Sequence, residues 1–233
     1  MLYKVFVNEW GETTYVPTTL GNMLLIVVIV TLLLIAVLFS RNYTNRLNRP
    51  KDASNRRKLT IKQLTFCAVA IALGTVLANI KLFHFPTGGS ITLLSMLVIC
   101  LPGYFFGLGA GLMTGFAYGI LQLLIDPYVL FPMQLIVDYL LAFGALGLSG
   151  LFTETKNGLL KGYITAVLGR YIFAVLSGCI FFGSYAWEGW GVLPYSMVYN
   201  GIYIFAEATV SVIVILLPPV KLAIGNIKKL AIE

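Results

Sequence analysis

The chain is a succession of apolar runs, most of them close to the roughly 20 residues an α-helix needs to cross a bilayer: 20–39, 64–80, 92–106, 108–125, 130–152, 160–182 and 196–220. Together they leave little sequence from which to build a soluble domain, and the composition agrees, with 59% hydrophobic and 11% charged residues. The alternating apolar and polar pattern of an outer-membrane barrel is absent. The sequence therefore predicts an all-α integral membrane protein. The run 92–106 is short and rich in small residues near its end, which predicts a tilted or broken helix.

Lysine and arginine flank transmembrane helices mainly on the cytoplasmic side. Between the first two runs lie Arg41, Arg46, Arg49, Lys51, Arg56, Arg57, Lys58 and Lys62; Lys156 and Lys161 follow the fifth, and Lys221, Lys228 and Lys229 follow the last. If seven runs alternate across the membrane, all of these share one side, against Lys4 and Lys81 on the other. The expected topology has the amino terminus outside and the carboxyl terminus in the cytoplasm. The net charge of +7 and pI near 9.3 are then explained by topology and by attraction to an anionic lipid surface, and nucleic-acid binding is not expected.

The first run has the length of an anchor, lacks a basic segment directly before it and is followed by a basic stretch. It reads as an uncleaved helix rather than a signal peptide. The sequence thus divides into an anchor helix with a basic cytoplasmic linker, 1–57, and a six-span unit, 58–233, which is the expected functional module.

Several chemistries lack their parts. Cys67, Cys100 and Cys179 have no metal-site or disulfide spacing and read as packing residues. His84 is the chain's one histidine, so zinc sites and Ser-His arrangements are incomplete. No phosphate-binding G-x-x-x-x-G-K-[ST] loop occurs, so uphill transport would need energy from a partner. No metal or cofactor is expected.

Three ionisable residues lie inside apolar runs: Asp138, Arg170 and Glu207. Such groups are expensive in a bilayer and mark functional sites by default. Helix rise puts Asp138 roughly 12 Å below the outer end and the other two near mid-depth, so a common cavity is within reach. One reading is a buried Asp138–Arg170 ion pair that fixes packing; the other is a ligand site, where two carboxylates against one guanidinium would favour a cation. From Phe181 the chain reads FFGSYAWEGWGVLPYSMVYNG, bringing Phe182, Trp187, Trp190, Tyr195 and Tyr199 together. These form either an interfacial aromatic belt or stacking faces for a flat or cationic ligand. Asn200, Tyr203 and Glu207 follow at i, i+3 and i+7 on one helix face, which resembles a pocket more than a belt.

Linked motifs in order, FPTGGSIT, QLIVDYLLAFGALGLSGLF, RYIFAVLSGCIFFGSYAWEGW and YSMVYNG, resemble the thiamine-specific substrate-binding (S) subunit of energy-coupling factor (ECF) vitamin transporters over about residues 60–220. The resemblance implies a six-helix S-component-like bundle, here preceded by one extra transmembrane helix, in a bacterial cell membrane. It implies that Asp138 and Tyr139 face the thiazolium cation, that Tyr195 and Asn200 contact the ligand, that Arg170 is the basic residue of the fifth helix and that Phe182 stacks on the ligand. Trp187, Trp190, Tyr203 and Glu207 are further binding candidates, and Gly88, Gly89 and Ser90 match a loop that covers the pocket. One departure stands out: the family commonly carries His four residues after the basic position, and this chain has Ala174. His84 is a candidate replacement.

Ala68 and Ala72 form an A-x-x-x-A pair that lets another helix approach closely. It reads either as internal packing or, following the resemblance, as the docking face for a transmembrane coupling subunit. The expected function is a non-enzymatic thiamine-binding subunit that works with that coupling subunit and two ATPase subunits. A related pyrimidine or thiazole ligand is the alternative within this class. An intramembrane enzyme using Asp138 and Glu207 as paired carboxylates has no accompanying nucleophile, metal ligands or phosphate site.

Overall fold

Thr60 starts the first described helix of the bundle with a capping box: its Oγ1 accepts from the Gln63 N–H at 3.2 Å, and its own N–H donates to Gln63 Oε1 at 3.1 Å. The structure is a computed structural model, and it describes residues 3–7, 13–20, 23, 60–85, 89–126 and 131–232. The expected anchor helix and basic linker lie almost wholly outside the described residues.

Helix α1 (Ile61–Asn79) leads into a short antiparallel hairpin, β3 (Lys81–His84) and β4 (Ser90–Thr92). Then come α2 (Ser95–Phe106) and α3 (Leu108–Ile125). Helix α4 spans 132–152 in four pieces: α-helical Pro132–Gln134, π-helical Leu135–Leu141, α-helical Ala142–Gly144 and 3₁₀-helical Ala145–Phe152. Helix α5 (Gly158–Phe181), a 3₁₀ turn (Gly183–Tyr185), α6 (Val192–Leu216) and α7 (Pro218–Ile232) complete the chain. Strands β1 (Tyr3–Val7) and β2 (Thr13–Pro17) pair antiparallel, and β2 lies against α5 and the 183–185 turn.

Among the described residues five helices are long and apolar enough to cross a membrane: α1, the 135–152 part of α4, α3, α5 and α6. The sixth apolar helix, α2, has only 12 residues and contains Pro102. The protein is thus a mostly helical membrane bundle. Leu64, Val69, Leu73 and Val76 on α1 and Ile213 on α6 are exposed, as expected of side chains that meet lipid.

Helix α4 packs against α2, α3 and α5. Its contact with α3 depends on glycines one turn apart. A Cβ at Gly111 would lie 2.6 Å from the Gly147 carbonyl oxygen, and one at Gly115 would lie 2.6 Å from that of Phe143. Small residues at this spacing let two membrane helices meet backbone to backbone, which sets Asp138, Tyr139 and Phe143 at a fixed distance from α3. Ser149 adds a hydrogen bond from its Oγ to the Cys100 carbonyl at 2.7 Å, joining α4 to α2.

The last helix folds back beneath the bundle. Lys228 Nζ donates to the Thr153 carbonyl at 2.7 Å and stands 4.3 Å from the centroid of the Tyr104 ring, while Ile224 and Ala231 are buried. Lys62, Lys156, Lys161, Lys221, Lys228 and Lys229 gather at this end. The opposite end, with the β3–β4 hairpin, holds the cavity.

Candidate functional site

A cavity of ≈ 280 Å³ lies among the hairpin ends of α1 and α3, the start of α2 and α4, the last half of α5 and the start of α6. Its walls include Asp138, Tyr139, Arg170, Phe182, Tyr195, Asn200, Tyr203, Gly89 and Ser90. Gly88 lies outside the described residues.

Asp138 sits in the middle of the π-helical turn. A π turn inserts an extra residue and redirects the side chains around it, a feature frequent at functional sites. Ser177 and Gln134 stand beside the carboxylate, and the buried Ser177 hydroxyl is outside hydrogen-bonding geometry with it. Arg170 does not form an ion pair with Asp138. Its guanidinium lies 4.5 Å from the centroid of the Phe143 ring, and the ion pair found among the described residues is Lys81 Nζ with Asp126 Oδ2, at 2.5 Å. The packing-pair reading of Asp138 and Arg170 therefore fails, and both groups face a shared space.

Glu207 departs from expectation. It is 3% exposed and is not part of the cavity wall. Its Oε1 accepts from the Met96 N–H at 2.9 Å and from Ser95 Oγ at 3.1 Å, and its Oε2 accepts from Thr92 Oγ1 at 2.5 Å. The carboxylate thus caps the N-terminus of α2, where the helix dipole favours negative charge, beside Leu94, which is held at φ 59°. This corrects the expected charge surplus: Asp138 and Asp126 on the cavity wall are balanced by Arg170 and Lys81, so any preference for a cation rests on the placement of Asp138 and on aromatic faces.

Trp187 and Trp190 are also off the wall. They are 44% and 46% exposed and pack edge-to-face against each other, with Trp187 also against Tyr195. They form the outer rim that the belt reading described. Tyr195 itself is buried and lines the cavity, as do Tyr199, Asn200 and Tyr203. Asn200 donates to the Ser196 carbonyl at 2.9 Å and accepts from Tyr203 Oη at 2.6 Å, which fixes the α6 wall.

The hairpin covers this wall. Phe85 meets Tyr199 and Tyr203 at ring distances of 5.5 and 6.0 Å. Gly89, at φ 83°, lies so close to the Tyr203 ring that a Cβ there would be 2.7 Å from Cε1. Only glycine serves that position without strain. His84 lines the cavity and shares a hydrogen bond between Nδ1 and Ser90 Oγ at 2.8 Å.

Sequence reasoning missed Gln122, Gln134, Ser177, Asp126 and Lys81 on the wall. The signal was present for Gln122, Gln134 and Ser177, which are polar residues inside apolar runs. Ala68 and Ala72 are both exposed on α1, so the pair does not pack within the bundle.

A family model described as "Thiamine transporter protein" matches residues 64–225. The thiamine transporter ThiT of Bacillus subtilis is 37% identical over 146 residues, covering 57% of this chain and 76% of that protein. ThiT of Lacticaseibacillus paracasei is 33% identical over 112 residues, covering 41% and 56%. The solved structure of ThiT from Listeria monocytogenes superposes with a TM-score of 0.63 at 28% identity, over 72% of this chain and 96% of that one. With the match spanning α1 to α6, the chain belongs to the thiamine transporter protein family.

Proposed function

We propose that the cavity binds thiamine and that the chain is the membrane-embedded substrate-binding subunit of an ECF-type uptake transporter, a transport subunit rather than an enzyme. The observation that carries this reading is the Asp138 carboxylate, turned by a π-helical segment toward a covered, aromatic-walled cavity in a member of this family. A volume of ≈ 280 Å³ is near the lower bound of small-molecule sites and suits a two-ring cation. In this reading Asp138 faces the cationic ring, Arg170, Tyr139, Asn200 and Tyr203 shape the wall, Phe182 and Tyr195 offer ring faces, and Gly89 and Ser90 belong to the cover.

The basic residues gathered at the end opposite the cavity support an orientation with that end in the cytoplasm and the cavity facing outward. On this reading the anchor helix expected at about 20–39 and its basic cytoplasmic linker follow the β1–β2 hairpin, with the amino terminus outside. The exposed Ala68 and Ala72 are the docking face for a transmembrane coupling subunit, which acts with two ATPase subunits. Calorimetric titration of the purified protein with thiamine, and with its pyrimidine and thiazolium halves, tests the site. Tight binding of thiamine is expected, and a response to one half alone would reassign the ligand.

A further inference from the structure

The polar groups of the cavity wall differ in whether they are already engaged within the protein. Ser95 and Thr92 are bonded to Glu207, Lys81 to Asp126, Ser196 to the Val175 carbonyl, and Asn200 and Tyr203 to each other. The unpartnered atoms of Gln122 and Ser177 are sealed from solvent. The cavity face of α5 places aliphatic Ala174 between Arg170 and Ser177, so position 174 itself offers no side-chain hydrogen bond. His84 has one ring nitrogen on Ser90 and is exposed at the cavity; Nε2 carries no bond to any described residue.

The local fold fixes this ring. His84 and Ser90 are cross-strand partners in the hairpin, and the adjoining Phe85 is held against Tyr199 and Tyr203. Because the Ser90 hydroxyl either donates or accepts, it stabilises both neutral imidazole tautomers. His84 Nε2 can therefore present a donor or an acceptor without moving the ring. That versatility suits an uncharged nitrogen heterocycle, whose ring nitrogens accept and whose amino substituent donates.

We propose that His84, carried by the hairpin rather than by the helical wall, is the specificity residue that reads the uncharged nitrogen heterocycle of the ligand. The inference rests on the thiamine reading above and assigns to one side chain the recognition of the ring that does not carry the charge.

The test compares two ligands on three variants by calorimetry. One ligand is thiamine; the other is an N-benzyl thiazolium that keeps the cation and the two-ring shape but has no pyrimidine nitrogens. His84→Ala should weaken thiamine binding tenfold or more, the loss of about one hydrogen bond, and change benzyl thiazolium binding less than twofold. His84→Gln, which retains a donor and an acceptor, should recover part of the thiamine affinity. Ser90→Ala, which frees the ring, should give a smaller loss restricted to thiamine. Equal losses for both ligands, or no loss for either, would overturn the role of His84 while leaving thiamine binding in place. Absence of thiamine binding by the unaltered protein would overturn the functional reading and this inference with it.

Discussion

Two acidic residues lie within the apolar helices, and their surroundings are opposite. Glu207 meets three donors from two segments, the root of the hairpin and the first turn of α2. Asp138 meets a cavity, with a guanidinium nearby that rests on an aromatic ring instead of pairing with it. Burial of a charge is tolerated when hydrogen bonds replace water. At Glu207 the protein provides that replacement in full, and at Asp138 it sets Gln134 and Ser177 beside a carboxylate that also lines the cavity. The contrast separates a carboxylate that holds the fold from one available to a ligand.

The comparison can be broken most directly at Glu207. Glu207→Ala would leave the Met96 N–H and two hydroxyls without their acceptor, and should cost about 3 kcal/mol or more of stability, seen as a large drop in melting temperature in detergent. If melting is unchanged, Glu207 is not the structural member of the pair. Asp138→Asn should do the reverse, leaving melting unchanged or raised while weakening thiamine binding by about 2 kcal/mol. A matching loss of stability would mean that Asp138 also serves packing.

Smaller effects sharpen the boundary between wall and surface. Trp190→Ala should alter thiamine affinity by no more than about 0.5 kcal/mol, because the ring lies on the exposed rim; a tenfold loss would bring the rim into the site. Ala68→Leu should leave affinity and melting as they are and prevent co-purification with the proposed coupling subunit. Retained assembly would move docking to another face.

Much of the site was legible because a membrane span makes each polar residue conspicuous. Asp138, Arg170, Asn200 and Tyr203 stand out on that ground alone, and the aromatic cluster before α6 marks the open end. What failed was rotation about the helix axis. Rise per residue gives depth, and depth put Glu207 with Asp138 and Arg170. Which way Glu207 points depends on Thr92, Ser95 and Met96, more than one hundred residues earlier in the chain. The π-helical turn at Asp138 was equally hidden, since nothing in LIVDYLL distinguishes a widened turn from an ordinary one. The Trp pair shows the limit of composition: aromatic density marked the correct end of the molecule, yet Tyr195 faces inward and its neighbours Trp187 and Trp190 do not.

The three bonds on Glu207 also act as a mechanical joint. One side chain on α6 grips the base of the cover and the tip of α2 at once, so a rotation of α6 pulls on both. A partner that leans on the bundle from the lipid side would therefore not need to touch the cover to displace it: torque on α6 would be carried to the roof through this acidic rivet and through the Tyr199 and Tyr203 rings beneath Phe85.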